Sequence, residues 1–240
     1  MLNFIGNGAA FNTALGNNNA YRKEGSHLFL IDCGSTNFSR LIERNLLDGI
    51  EEITVLQTHL HSDHVGSLGD LIGYAFYILA TKQTPKVTIL APEALKEDLQ
   101  NILQAEGITD DQYDLTVLDD KYEPADLPGI TSIETYEVTH VPHLRCFAYL
   151  FVMDGKTVYY SGDCNMIPEA ILEKLLSGEI DVFYQDTSKA DFEGNVHLSL
   201  RKLSELVPPE KRNIIHCMHL DVSFSVEEAK ALGYQVTSVQ

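Results

Sequence analysis

The chain has 240 residues, 44% hydrophobic and 22% charged, a balance that supports a buried core and excludes disordered, collagen-like and low-complexity classes. Seventeen Lys and Arg stand against 35 Asp and Glu, a formal net charge of −18. Such a surface repels polyanions, and proteins that track a phosphate backbone need cations this chain lacks, so extended nucleic acid is not expected as a ligand.

The predicted elements alternate between β and α. Ser26 to Asp32 reads as a buried strand, Phe38 to Leu47 as a helix and Ile53 to Gln57 as a second strand, followed by a polar loop from Thr58 to His64. Val65 to Ala80 is helical by spacing, Lys86 to Ala91 is a strand, and Pro92 opens another helix where proline is tolerated. Residues 107–128, acidic and broken by Gly107, Pro124 and Pro128, read as a loop or lid. Ile130 to Val138 and Phe147 to Met153 are predicted strands, with Asp154-Gly155 a hairpin turn into Thr157 to Ser161. Then come a helix at Ile167 to Leu176, a strand at Asp181 to Gln185, a helix at Leu198 to Leu206 and a strand at Asn213 to Met218. A last helix is capped by Ser225, with Glu228 three residues on. No linker divides the pattern, so one α/β domain over residues 1–240 is expected.

Cys33, Cys146, Cys164 and Cys217 form no CxxC pair, which points away from a zinc knuckle or disulfide framework and towards a reduced, cytoplasmic protein. The opening residues lack a signal-peptide pattern, and no apolar run reaches the ~18 residues of a membrane span, so a soluble protein with no membrane partner is expected.

Three of the nine histidines fall within six residues, in Thr58-His59-Leu60-His61-Ser62-Asp63-His64, directly after the strand ITVLQ. Ligands of α/β sheets gather at carboxyl ends of strands, and imidazoles with a carboxylate are the donors Zn²⁺ prefers. Four donors so close suit two ions better than one, with His59 and His61 reaching one way and Asp63 and His64 the other.

The HxHxDH spacing resembles the signature of the metallo-β-lactamase superfamily. That resemblance implies a four-layer αββα sandwich with a dinuclear zinc site, and it asks for a later histidine, a bridging aspartate and a final histidine. His140, directly after a predicted strand, is preferred for the first, with His143 in reserve. Asp163, ending a strand in Tyr-Ser-Gly-Asp-Cys, matches the bridging carboxylate. His219, at a strand end, is preferred over His216 inside it.

The stretch from Tyr184 to Ser199 is similar to the ribonuclease Z-like branch, which implies that His197 is a non-ligand histidine that either protonates the leaving group or binds a non-bridging phosphate oxygen, with Asp186 a candidate to orient it and Asp63 also among the candidate catalytic groups. Over nearly its whole length, through LNFIGNGAAFNT, IDCGS, THLHSDHVGSLGDL, GNVHLSLRKLSELVP and CMHLD, the chain resembles the anti-Pycsar family of phage. The resemblance implies a homodimeric phosphodiesterase carrying two Zn²⁺ per subunit, with Mn²⁺ the other candidate metal. It would open cyclic mononucleotides such as cyclic CMP and cyclic UMP in the host bacterial cytoplasm. The rivals are a transfer-RNA 3′-processing nuclease, whose basic arm is not found here, and a non-catalytic nucleotide binder. Asn3 to Asn19, rich in Gly and Asn, could lend backbone donors to a nucleotide. Tyr113 and Tyr122 are candidates to stack on a base, while Tyr74, Phe76 and Tyr77 are expected in the core, with a dimer interface the alternative.

Overall fold

The computed structural model describes residues 1–79 and 87–239. Ala80 and Lys86, predicted ends of a helix and a strand, lie outside the described residues. One sheet consists of β1 (Asn3–Gly6), β2 (Asn19–Glu24), β3 (His27–Ile31), β4 (Glu52–Leu56), β5 (Val87–Pro92) and β6 (Tyr113–Leu118), side by side in chain order. The other holds β7 (Lys121–Tyr122), β8 (Ile130–Val138), β9 (Cys146–Met153), β10 (Lys156–Tyr160), β11 (Val182–Asp186), β12 (Ile215–Met218) and β13 (Gln235–Val236), again in chain order. Each sheet starts as an antiparallel meander and continues parallel, from β3 in the first and from β10 in the second.

The side-chain period of two sorts the core. On β9, Phe147, Tyr149, Phe151 and Met153 pack in the cluster shared with the first sheet, whereas Cys146, Ala148 and Leu150 join the cluster beneath the second sheet's helices. Helices α1 (Asn37–Glu43), α2 (Ser62–Val65), α3 (Leu68–Tyr74) and α4 (Glu93–Ala105) lie in the first half of the chain. Leu41, Leu71 and Leu99 from three of them pack in the first cluster. In the second half, α5 (Glu169–Ser177), α6 (Leu200–Leu206) and α7 (Val226–Ala231) bring Ile171, Leu203 and Ala229 to the second cluster. Two sheets face to face with helices outside make the four-layer αββα sandwich. No helix among the described residues is long and apolar enough to cross a membrane.

Several predicted elements are corrected. The segment read as a loop or lid carries β6 and β7; β6 is an edge strand whose Asp114 and Thr116 hid the pattern. Tyr113 is therefore buried and Tyr122 packs against the core, so neither stands free to stack on a base. The predicted helix Phe38 to Leu47 stops at Glu43, because Asn45 turns left-handed (φ 55°) and Leu46 N–H reaches back to the Leu41 carbonyl at 3.0 Å. Val65 to Ala80 is not one helix: Ser67 N–H donates to the Cys33 carbonyl (3.1 Å), breaking the run between α2 and α3, and Ala75–Leu79 continues as a π-turn. Tyr77 is exposed rather than core, while Tyr74 and Phe76 are half-buried. The Asp154-Gly155 hairpin is present, with φ of 51° and 74°.

Candidate metal centre

Each candidate donor stands at the carboxyl end of a strand or in the turn beyond it. His59 and His61 follow β4, and Asp63 and His64 occupy the first turn of α2, where His61 is the N-cap. His140 follows β8, Asp163 follows β10, Asp186 ends β11 and His219 follows β12. Because both sheets present these ends at one edge of the sandwich, Asp63 and His219, 156 positions apart in sequence, become neighbours in space.

The donors form two groups sharing Asp163. In the first, His59 Nε2 is 3.1 Å and His140 Nε2 3.2 Å from His61 Nδ1, and both Nε2 atoms are 3.8 Å from Asp163 Oδ2. In the second, His64 Nε2 lies 3.3 Å from Asp63 Oδ2 and from Asp163 Oδ1, and His219 Nε2 is 3.3 Å from Asp63 Oδ2 and 3.2 Å from Asp163 Oδ2. Asp163, Asp186, His197 and His219 also converge within 4.8 Å. That third set is a hydrogen-bonded dyad beside the second group, since His197 Nδ1 is 2.7 Å from Asp186 Oδ2.

The donor atoms fit cations on the evidence of their outward partners. The Val196 carbonyl can only accept, so His140 Nδ1, 3.0 Å away, carries the proton and Nε2 offers a lone pair inward. Thr58 Oγ1 donates to Asp32 Oδ2 (2.7 Å) and accepts from His59 Nδ1 (3.1 Å), which turns the His59 Nε2 lone pair inward too. His64 Nδ1 meets Asp32 Oδ2 at 2.8 Å, leaving Nε2 buried with no hydrogen-bond partner, as is Asp163 Oδ1. Lone pairs converging this closely repel unless a cation lies among them.

Electrostatics divide the groups. Burial first, then the neighbouring histidines, push His59, His61 and His140 below the ordinary imidazole range, which keeps them neutral. Burial also opposes charge on His64 and His219, but Asp163 and the other carboxylates outweigh it; His64 is raised well above the ordinary value and His219 to about 10. Positive charge is thus favoured where a cation would supply it. The thiols offer no competing ligand, because burial pushes Cys33, Cys146, Cys164 and Cys217 up to about 12.

The reserve histidines stay apart. His143 is exposed, and His216 packs against Tyr184 with ring centroids 5.2 Å apart. The N-cap of α6 is Ser199, accepting from Lys202 N–H, which leaves the His197 side chain to Asp186.

Two organising residues escaped the reading of the sequence. Asp32, fully buried and left-handed (φ 67°), accepts from Thr58 N–H, Thr58 Oγ1, Gln57 Nε2 and His64 Nδ1, so one carboxylate holds the histidine loop and one of its donors. The signal was an acid closing the apolar run LFLI at the end of a buried strand. Asn18 Oδ1 accepts from His219 N–H at 3.3 Å, while Asn18 Nδ2 donates to the Tyr160 hydroxyl at 2.8 Å. His219 itself has φ 55°, a conformation costly for a residue with a Cβ, and Asn7, Asn12 and Asn18 all bond to or beside it.

Known proteins resemble the chain in sequence and fold. An anti-Pycsar protein Apyc1 of Saccharibacillus brassicae is 32% identical over 228 residues, covering 91% of this chain and 88% of that protein. One of Bacillus phage BSP38 is 28% identical over 234 residues with the same coverage. Among solved structures, a diphosphatase of the PhnP family aligns with a TM-score of 0.77 at 18% identity, covering 98% of this chain and 94% of its own. The metallo-β-lactamase fold protein YhfI from Bacillus subtilis gives 0.74 at 16%, covering 98% and 94%, and human tRNase Z, short form, gives 0.67 at 17%, covering 99% and 95%. These structures share the fold: the chain is a metallo-β-lactamase-fold protein. With the profile of the anti-Pycsar protein Apyc1 family matching residues 1–236, the chain belongs to that family.

Proposed function

We propose that the chain is a dinuclear zinc phosphodiesterase that opens 3′,5′-cyclic mononucleotides such as cyclic CMP and cyclic UMP, countering bacterial Pycsar antiviral signalling. The observation that carries this reading is Asp163, whose carboxylate faces both donor groups. His59, His61 and His140 would hold one ion, and Asp63, His64 and His219 the other. An imidazole-rich, thiol-free set suits zinc, with manganese the alternative. When bound, two dications supply Lewis-acid polarisation of a phosphoryl oxygen and lower the pKa of water towards neutrality.

The chain's own groups supply positioning and proton transfer. Burial disfavours charge on His197, yet Asp186 outweighs it and raises the imidazole above its ordinary value. With Nδ1 held by Asp186, the proton on Nε2 is free to pass to the departing 3′ or 5′ oxygen. Asp186 Oδ2 is itself fixed by Cys164 N–H at 3.0 Å. His197 lies beside both groups, its ring 5.0 Å from those of His140 and His219.

The surface selects for a small substrate. Arg145 pairs with Glu137, Lys189 with Glu228, and Arg201 with Asp191 and Glu205, so these cations are already engaged by carboxylates. A single phosphate can reach the histidine cluster, whereas a chain of phosphates meets the −18 charge. The phage relative supports action in a host bacterial cytoplasm, and the homodimer follows from the family resemblance.

The test incubates zinc-loaded protein with a panel of cyclic mononucleotides and with precursor transfer RNA. Linear nucleotide should form, with turnover falling ~10²- to 10⁴-fold in His197→Gln while bound metal is unchanged. Cleavage of transfer RNA without cyclic-nucleotide turnover would establish the nuclease instead, and tight binding of intact cyclic nucleotide would establish sequestration.

A further inference from the structure

Among the described residues, Phe11, Phe192 and Val222 are 92%, 61% and 75% exposed, and all three stand on segments tied to the chain that carries His219. Ala9 N–H and Asn12 Nδ2 both donate to the Leu220 carbonyl, at 3.0 and 2.9 Å, so the turn bearing Phe11 is fastened one residue beyond His219. The turn is built rather than loose. Asn12 N–H closes on Ala9 O at 2.8 Å, and Arg40 Nη1 grips the Leu15 and Ile5 carbonyls at 3.0 Å each. On the other side, Lys189 and Ala190 N–H donate to Asp221 Oδ2. Asn195 N–H donates to Phe192 O at 3.2 Å, and Asn195 Oδ1 accepts from His197 N–H at 3.3 Å.

A rigid turn that holds a phenylalanine in water forgoes the free energy of burying it, and the two turns are tied by hydrogen bonds, that of Phe11 to Leu220 beside His219 and that of Phe192 through Asn195 to His197. The neighbouring cations Lys189 and Arg201 are paired, so this rim offers apolar faces and no anchor for a second phosphate. A neutral planar ring suits it, because stacking is indifferent to the surrounding negative field.

We propose that Phe11 and Phe192 are specificity-determining residues that stack on the nucleobase of the nucleotide whose phosphate occupies the histidine cluster. The inference rests on the phosphodiesterase reading for its substrate, and a binding measurement tests it separately. Wild type, Phe11→Ala, Phe192→Ala and Phe11→Leu are compared on a cyclic mononucleotide and on methyl riboside 3′,5′-cyclic phosphate, which has no base. Each alanine variant should raise KM for the nucleotide about fivefold or more with kcat nearly unchanged, leave the base-free ester unaffected and keep its metal; the leucine variant should fall between. Calorimetry on the zinc-loaded proteins then compares a linear nucleoside monophosphate with ribose 5-phosphate, and the preference for the base should shrink by a similar factor in the variants.

Equal loss on both esters, or an unchanged KM, would overturn the proposal. So would dissociation of a dimer without a change in base preference, which would make the rim a contact between copies. If wild type turns over no cyclic nucleotide, the phosphodiesterase reading fails, and calorimetry alone decides: base-dependent affinity lost in the variants supports the stacking role, and affinity indifferent to the base refutes it.

Discussion

Gly162 immediately precedes Asp163, and its replacement by alanine tests whether backbone packing at the sheet edge sets the shared carboxylate. Its φ is +56°, and an added Cβ would stand 2.5 Å from the Phe147 carbonyl oxygen and 3.3 Å from Thr58 Cβ. Ordinary contact begins at 3.4 Å, so 0.9 Å must be found between β10 and the start of β9. Little slack is available, since Phe147 N–H is bonded to the Thr58 carbonyl at 3.0 Å, beside His59. The left-handed conformation costs an alanine ~1–2 kcal/mol, and forcing the contact adds about 1–3 kcal/mol. Together these are about 2–5 kcal/mol, or a fall in Tm of roughly 4–20 °C for a chain of this size. Gly155→Ala is the control, because its φ is +74° but nothing lies within 4 Å of the added Cβ, so it carries the conformational cost alone. Thermal unfolding with chelator present isolates the packing effect, and metal analysis of the reloaded proteins reads the site. Gly162→Ala should be the less stable of the two and should bind less than two equivalents of zinc. Equal Tm values with full zinc content would refute the reasoning.

Three further outcomes are expected. In metal titrations, Asp163→Ala should lose both high-affinity equivalents, His140→Ala and His219→Ala one each, and His216→Ala none; loss of an equivalent only in His216→Ala would reassign the last donor. Asn18→Leu removes the acceptor of His219 N–H and should weaken one equivalent roughly tenfold, in the range of lost supporting contacts at metal sites, with Asn18→Asp retaining more affinity than leucine because it keeps an acceptor. His27 is buried against Thr54, and burial, only partly offset by Glu52, lowers its pKa below 6.5. The unfolded chain therefore takes up a proton that the folded chain resists, so stability declines as pH falls through the unfolded value towards the folded one. In His27→Gln that component disappears, and the gap between the two proteins' denaturant midpoints should narrow between pH 7 and pH 5; a gap independent of pH would show that burial does not hold His27 neutral.

The elements legible in the sequence were those whose pattern is local. HLFLI, ITVLQ and FAYLFVM announce themselves as short, mostly apolar, β-prone runs, Asp154-Gly155 by a turn that needs two positive φ values, and Ser225 by its capping hydroxyl. Strands defined by their neighbours were not legible. Asn3–Gly6 is four residues long and is held by pairing with Tyr21, Ala20 and Asn19, and Tyr113–Leu118 is an edge strand whose polar residues mimic a loop. The break between α2 and α3 was hidden for the same reason, since it is made by Ser67 bonding to Cys33 rather than by any helix-breaking proline.

At the candidate site the division is equally physical. His59, His61, Asp63 and His64 lie within one strand end and one helical turn, so their convergence is a property of six residues and could be read directly. The Gly- and Asn-rich N-terminal stretch was visible but its task was not: Asn12 and Asn18 act on residues 208 and 201 positions away, distances over which composition carries no instruction. The preference for His140 over His143 and for His219 over His216 rested on strand ends visible in the sequence, whereas the exposure of His143, the packing of His216 on Tyr184 and the organising role of Asp32 appeared only once the strands lay side by side. The sequence by itself therefore determined the donor types, their local spacing and the alternation that builds two sheets. Only the tertiary structure decided which donors meet, because the pairing of strands sets one group of lone pairs against another.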